Sequence, residues 1–276
     1  MIQGKMFLYN LFPKRLKKKL GSSKILEPLR NSFFRRNGSY IEVRAKIKRE
    51  YLKYIVEFNF YASIQVANKA KNKGIENTLL INSIKLLKSN NDDKTIFDVG
   101  TNFGYLSLVW ANSVCKNGKV YSFEPHPLLY NSYTKSVQSN NLKDIIVSEN
   151  VAVGNEIGTI GINLFSTTSN TINIESNKRN DKKERVNIIT LDHYVEKNCI
   201  TRCDLIKIDV DGIEFEILKG SLELIKKLHP IFIVETNNDS RIIDFFLNHD
   251  YRILNMELLP ITERELPLNI FCIPNN

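Results

Sequence analysis

The chain reads as an α/β protein built on an open, mostly parallel sheet whose C-terminal end is an antiparallel hairpin. Three observations predict it. From residue 94 onward, short apolar runs alternate with stretches of helical periodicity, the pattern of strand–helix–strand units. Four of those runs end in an acid: Asp98, Glu124, Asp209 and Glu235. The last two runs, near 251–257 and 269–273, are joined by a segment with few helix signals, which pairs them antiparallel. With 276 residues there is room for one large domain of this kind plus an appendage, and a 42% hydrophobic content is ordinary for a globular chain. No apolar run approaches the length of about 18 residues needed to span a membrane.

Residues 1–40 stand apart. They hold ten basic side chains, Lys14, Arg15 and Lys17 to Lys19 among them, against Glu27 alone, so the whole formal excess of +9 belongs to this arm. Met6, Phe7, Leu8, Leu11, Phe12, Leu16 and Leu20 interleave with the bases, which is the composition of an amphipathic segment resting on an anionic membrane. A solvated tail, or a helix packed on a neighbouring subunit, has the same composition. No positive stripe continues into the body, which counts against nucleic acid as a partner. The lysines interrupt the apolar run that a signal peptide needs. Cys199 and Cys203 find no second pair of zinc ligands among four scattered histidines, so reduced, structural thiols are expected. The expected location is the cytoplasm, with residues 1–37 offering peripheral contact to the inner face of the membrane.

Residues 41–93 carry Tyr51, Tyr54, Ile55 and Phe58, then Leu79, Leu80, Ile84 and Leu87, at helical spacing. That spacing predicts two or three helices ending at the turn cluster Asn90-Asn-Asp-Asp93. Residues 94–276 form the main domain. Ile96–Val99 is its first strand, Gly100–Gly104 a turn, and Tyr105–Ala111 a helix. Lys119–Glu124 is the second strand; Pro125-His-Pro127 stops it and starts a helix over 127–139. Ile145–Glu149 is the third. Residues 151–190 break the rhythm, with strands at 152–154, 159–165 and 186–189 around the polar run Ser166–Lys183, an inserted hairpin or flap placed as a natural lid. Alternation resumes with strand Asp204–Asp209, a helix over 213–228, strand Ile231–Glu235 and a helix near 239–248.

The stretch Thr95–Gly104 joins a buried strand, a carboxylate, a forced turn and a helix start. Gly100 and Gly104 let the backbone turn and approach a ligand where a Cβ would clash. Glu124 ends the next strand 26 residues after Asp98. In an open parallel sheet the neighbouring strand's terminal acid reaches the ribose of a nucleoside held over the first turn. A nicotinamide fingerprint needs three glycines and no acid ahead of the first; here the third glycine is missing and Asp98 precedes Gly100. S-adenosylmethionine fits better, because carboxylates suit both its amino acid moiety and its sulfonium. Asp98 and Glu124 are therefore assigned to the cofactor. Asp209, Asp211, Glu214 and Glu235 lie on the other half of the edge, where an acceptor meets the methyl group.

In order along the chain, Asp98-Val-Gly-Thr-Asn-Phe-Gly104, Phe123-Glu-Pro125, Asn150-Val-Ala-Val-Gly154, Thr190-Leu-Asp192, Asp204-Leu-Ile-Lys-Ile-Asp-Val-Asp-Gly212 with Glu214, Leu218-Lys-Gly220 and Pro230–Glu235 resemble the FkbM family of S-adenosylmethionine-dependent methyltransferases. The resemblance spans roughly residues 74–240. It implies a class I methyltransferase (Rossmann-like) fold with a mostly parallel seven-stranded sheet, preceded by N-terminal helices. It further implies O-methylation, often of a sugar hydroxyl in a glycan, glycolipid or secondary metabolite. Carried over motif by motif, the cofactor residues are Asp98, Gly100, Asn102, Gly104, Tyr105, Glu124, Pro125 and Ala152. Thr101 and Phe103 stand where the family often has Ala and Ile, and Asp211 where it often has Glu; the shorter acid bears on the acceptor side.

Methyl transfer to an oxygen needs alignment and removal of a hydroxyl proton. Asp209 or Glu235 is the expected base, with Asp211, Glu214 or His126 as alternatives; a divalent ion with oxygen ligands would serve the same end by lowering the hydroxyl pKa. The competing expectation is a catalytically inactive nucleoside-binding adaptor whose basic arm docks to a membrane or protein partner.

Overall fold

The computed structural model describes residues 11–13, 35–36, 39–88, 90–163, 183–210, 212–261 and 266–275. Strands β1 (Arg35–Arg36) and β2 (Ser39–Tyr40) form a short antiparallel pair. Next come β3 (Glu42–Tyr51) and β4 (Tyr54–Ser63), a ten-residue antiparallel hairpin closed by Leu52-Lys53, with Leu52 at φ +55°. This corrects the expected helix. Tyr51, Tyr54 and Phe58 are buried as the helical spacing asked, but Ile55 is 66% exposed, and burial follows the period of two: Val43, Ala45 and Ile47 on one strand, Val56, Phe58, Phe60 and Ala62 on the other. Helices α1 (Ile64–Lys73) and α2 (Asn77–Leu87) follow as expected for the second half of the segment.

The main sheet has seven strands in the order β13-β14-β12-β11-β5-β6-β7. These are β5 (Thr95–Val99), β6 (Lys119–Phe123), β7 (Ile146–Glu149), β11 (Leu205–Ile208), β12 (Ile231–Glu235), β13 (Tyr251–Leu254) and β14 (Asn269–Pro274). The first five named pair parallel; β14 runs antiparallel between β12 and β13. This is the class I methyltransferase sheet that the sequence predicts. Its central strands β5, β11 and β12 are buried on both faces, and alternate residues feed two cores. Ile96, Val120, Leu205 and Ile233 meet the hairpin, α1, α2, α3 (Tyr105–Ala111) and α4 (Pro127–Ser139). Phe97, Phe123, Ile206, Ile208 and Phe232 meet the opposite helical layer.

That second layer holds two differences from expectation. Helix α5 (Leu191–Lys197) is additional, capped by Thr190, whose Oγ1 accepts the His193 N–H at 3.1 Å. The single helix expected over 213–228 is two, α6 (Glu214–Lys219) and α7 (Leu222–Leu228). The break falls at Gly220, which packs so close to the Gly154 carbonyl that a Cβ would lie 2.2 Å from the oxygen. Asp192 then caps α7 by accepting from the Glu223 and Leu224 amides at 3.1 and 2.8 Å. α8 (Arg241–Asn248) precedes β13. Residues 151–190 contribute a separate small sheet, β8 (Ala152–Val153), β10 (Lys183–Ile189) and β9 (Gly158–Asn163), in which β9 and β10 form the expected hairpin. The polar run expected as a lid lies outside the described residues apart from Lys183.

Candidate active site

The turn after β5 is built by backbone constraints. Gly100 and Gly104 have φ of +78° and +80°, and Asn102 joins them in the left-handed region at +56°. A Cβ on Gly100 would sit 1.9 Å from the backbone oxygen of Asp209, so the turn and the tip of β11 touch where only glycine fits. On the other side the Gly100 and Thr101 amides both donate to the Phe123 carbonyl at 3.1 Å. Asn102 N–H donates to Glu124 Oε2 at 2.7 Å, and His126 N–H to Glu124 Oε1 at 2.8 Å. The tips of β11, β5 and β6 are thus one continuous hydrogen-bonded unit.

Over this unit lies a cavity of about 320 Å³, at the low end of the range for small-molecule sites. Asp98, Gly100, Asn102, Lys207, Asp209 and Glu235 form its floor at the C-terminal edge of the sheet. The N-terminal hairpin and helices supply its roof, with Phe60, Val66, Lys69, Ile75 and Glu76. Glu76 stands at the start of α2 in a left-handed conformation, φ +48°. Phe58 and Phe60 pack edge-on against Tyr105, at 5.7 and 5.5 Å between ring centroids, and the Tyr105 hydroxyl meets that of Tyr51 at 3.0 Å. These contacts fix the roof to α3.

The floor is a charge constellation. Asp98 is buried; Ser107 Oγ donates to its Oδ2 at 2.5 Å, while its Oδ1 has no hydrogen bond and faces Lys207 Nζ at 3.6 Å. Burial pushes the Asp98 carboxyl above its ordinary value, against the pull of Lys207. Lys207 Nζ also donates to the Gly100 carbonyl at 3.0 Å and lies 3.3 Å from Asp209 Oδ2. At Asp209 burial works upward too, but the Lys207 charge and a side-chain hydrogen bond with Glu235 outweigh it and hold Asp209 below the usual range. Asn237 steadies the pair, its Nδ2 donating to Glu235 Oε2 at 3.2 Å and to Glu214 Oε1 at 2.9 Å.

Of the sequence-derived site residues, the cavity brings together Asp98, Gly100, Asn102, Tyr105, Asp209 and Glu235. Others stand behind it. Gly104 abuts Tyr133, whose ring a Cβ there would meet at 1.9 Å. Glu124 is buried behind the turn, Pro125 gives its carbonyl to Asn150 Nδ2 at 3.0 Å, and Ala152 is buried in the small sheet opposite Ile188. Glu214 does not line the cavity: its Oε1 accepts from the Val210 amide at 3.2 Å and its Oε2 from the Gly212 amide at 2.9 Å, holding the loop after β11. His126 caps α4 through Nδ1. Asp211 lies outside the described residues. Among the described residues no group of three or more His, Cys, Asp or Glu is arranged to hold a metal ion. Sequence reasoning assigned no role to Lys207, although a lysine inside an apolar strand buried on both faces is itself a signal. It also missed Phe60, Lys69 and Glu76, whose place over the site depends on the hairpin.

Comparison with known proteins places these features. The Methyltransferase FkbM domain model matches residues 98–253, more than half of the chain. A model for Protein-L-isoaspartate(D-aspartate) O-methyltransferase (PCMT) matches residues 20–166. Hexuronic acid methyltransferase AglP of Haloferax volcanii is 22% identical over 148 residues, covering 54% of this chain and 58% of its own length. Methyltransferase sdnD of Sordaria araneosa is 26% identical over 170 residues, with coverage of 51% and 65%. The chain thus spans about three fifths of the length of these curated relatives. The crystal structure of Methyltransferase FkbM from Methylobacillus flagellatus aligns at 14% identity with a TM-score of 0.46, over 76% of this chain and 54% of that one. Matched continuously from Asp98 at the first strand of the site to Ile253 beyond its last helix, the chain belongs to the FkbM methyltransferase family.

Proposed function

We propose that this chain is an S-adenosylmethionine-dependent O-methyltransferase acting on a hydroxyl of a sugar, in a glycan, a glycolipid or a secondary metabolite. The observation that carries the reading is the acid-rich cavity over the glycine turn. Its floor presents an acceptor oxygen without a hydrogen bond, Asp98 Oδ1, beside a turn that a single Cβ would fill. Those features fit S-adenosylmethionine, whose ammonium and sulfonium both favour carboxylates. Asp98, Gly100, Asn102 and Tyr105 would hold its amino acid end. Glu124, buried behind the turn, shapes the cofactor side of the cavity by holding the Asn102 amide at 2.7 Å. When bound, the cofactor supplies a methyl carbon activated by its sulfonium for displacement by an oxygen. Asp209, charged and 32% exposed at the cavity wall, accepts the hydroxyl proton. Phe60, Val66 and Ile75 exclude water from above.

The sugar assignment draws support from AglP, whose name gives a hexuronic acid acceptor. The basic arm, residues 1–37, is proposed to bring the protein to an anionic membrane carrying a lipid-linked acceptor; among the described residues no helix is long and apolar enough to cross one. The test is incubation of the full chain with S-adenosylmethionine labelled in the methyl group and a panel of hexuronates, neutral glycosides and lipid-linked sugars. Label transferred to a sugar oxygen, located by mass spectrometry, supports the reading. Donor binding without transfer to any hydroxyl would favour the adaptor alternative.

A further inference from the structure

Lys207 occupies the centre of β11, between Ile206 and Ile208, and is 4% exposed. A buried ammonium is costly unless it is paired and hydrogen-bonded. Here three acceptors surround it, each from a different part of the site: the Gly100 carbonyl at 3.0 Å, Asp209 Oδ2 at 3.3 Å and Asp98 Oδ1 at 3.6 Å. Register explains the convergence. Lys207 is paired with Asp98 across β11 and β5, so both side chains leave the sheet on one face, and Asp209 follows two residues later on that same face. The charged groups facing this point from the surrounding elements are Asp98 on β5, Asp209 after β11, Glu235 on β12, Glu76 at the start of α2 with Lys69 of α1 beside it, and Glu124 behind the turn.

We propose that Lys207 is the positioning residue of this site: its ammonium ties the glycine turn to both strand-end aspartates and keeps Asp209 in the charged, proton-accepting form. The proton-accepting role rests on the methyl-transfer reading; the charge arrangement does not. Burial opposes the charged form of Lys207, yet the acids around it raise its pKa above the ordinary value. Lysine suits the task because one compact ammonium can serve three acceptors that are not coplanar, which a flat guanidinium cannot. The same charge offsets one of the two aspartates. The floor therefore stays attractive to a cationic donor without accumulating two unpaired buried carboxylates.

The experiment is carbon-detected NMR titration of the full chain, labelled at aspartate carboxyl and lysine ε carbons, without donor or acceptor. In the wild-type protein Lys207 is expected to stay charged throughout pH 5–9, with Asp209 titrating below the ordinary aspartate value of about 3.9. Lys207→Gln should raise the Asp209 midpoint by about one unit or more, a tenfold or greater gain in proton affinity. Lys207→Arg, which keeps the charge, should recover most of that shift even where its shape disturbs the Gly100 contact. An Asp209 midpoint that stays put in Lys207→Gln overturns the proposal, as does a wild-type Lys207 that is neutral at pH 7. The wild-type readings decide the matter if Lys207→Gln fails to fold. Because no cofactor is present, these outcomes are separate from success or failure of the methyl-transfer reading.

Discussion

The backbone N–H of Asn102 donates to Glu124 Oε2 at 2.7 Å, so the turn that follows the first strand of the site is closed by the acid that follows the second. The other oxygen of Glu124 takes the His126 amide at 2.8 Å. Burial dominates this group and lifts its carboxyl from the ordinary 4.5 to about 7, although both amides pull it down. The unfolded chain releases this proton near 4.5 and the folded chain near 7. Between those values the folded state binds more protons, so the contribution to stability is complete below the lower value and is lost as pH rises through the upper one. Urea denaturation should therefore show the wild type losing stability relative to Glu124→Gln between pH 5 and about 7.5. Parallel pH curves for the two proteins would place the Glu124 proton elsewhere.

Asp209→Asn removes the proton acceptor and keeps the side chain's shape. Transfer of labelled methyl to a sugar acceptor should fall by about 10²–10⁴-fold, the usual worth of a general base. Affinity for S-adenosylhomocysteine should change little, because the turn and Asp98 are intact. Full turnover by the Asn variant would remove Asp209 from this role and leave Glu235 to be tried next.

Gly100→Ala attacks the cradle and not the chemistry. The new methyl would meet the Asp209 carbonyl at 1.9 Å, and φ of +78° costs an L-residue about 1–2 kcal/mol before that clash. Thermal melting should register the loss, and S-adenosylhomocysteine should no longer raise the melting temperature. A variant with wild-type ligand stabilisation would show that the turn does not approach the cofactor.

Much of the site was legible because its strands are buried on both faces. Runs such as Ile96–Val99 and Ile231–Val234 are short, apolar and bounded by turn signals, which reads as buried strand, and an acid at or beside the end of each then marks the edge where ligands bind. The hairpin was not legible for a specific reason: Tyr51, Tyr54, Ile55 and Phe58 satisfy the helical spacing by accident across a two-residue turn. The alternation that runs from Val43 to Ile47 was the truer signal, and Ile55 on the open face of β4 was the misleading residue. Glu214 shows a different limit. Its position after Asp209 fits a reacting acid, but only the fold reveals that its oxygens are taken by the Val210 and Gly212 amides. Lys207 gains meaning when β5 and β11 lie side by side, a non-local fact that strand patterns do not encode.

Deleting residues 1–37 removes the whole excess positive charge while leaving the hairpin, which starts at Glu42. Sedimentation with vesicles rich in anionic lipid should recover the full chain and lose the truncated one, and the full chain should be released by added salt. Equal partitioning of the two proteins would end the membrane proposal without touching the active site.

Isothermal titration of the purified full chain with S-adenosylmethionine and with S-adenosylhomocysteine, with NAD as the competing nucleotide, bears most directly on the cradle formed by Asp98, the glycine turn and Glu124. Saturable micromolar binding of both adenosyl ligands, unaffected by NAD, is the result this structure predicts. Absence of heat with either adenosyl ligand, or displacement of them by NAD, would contradict it.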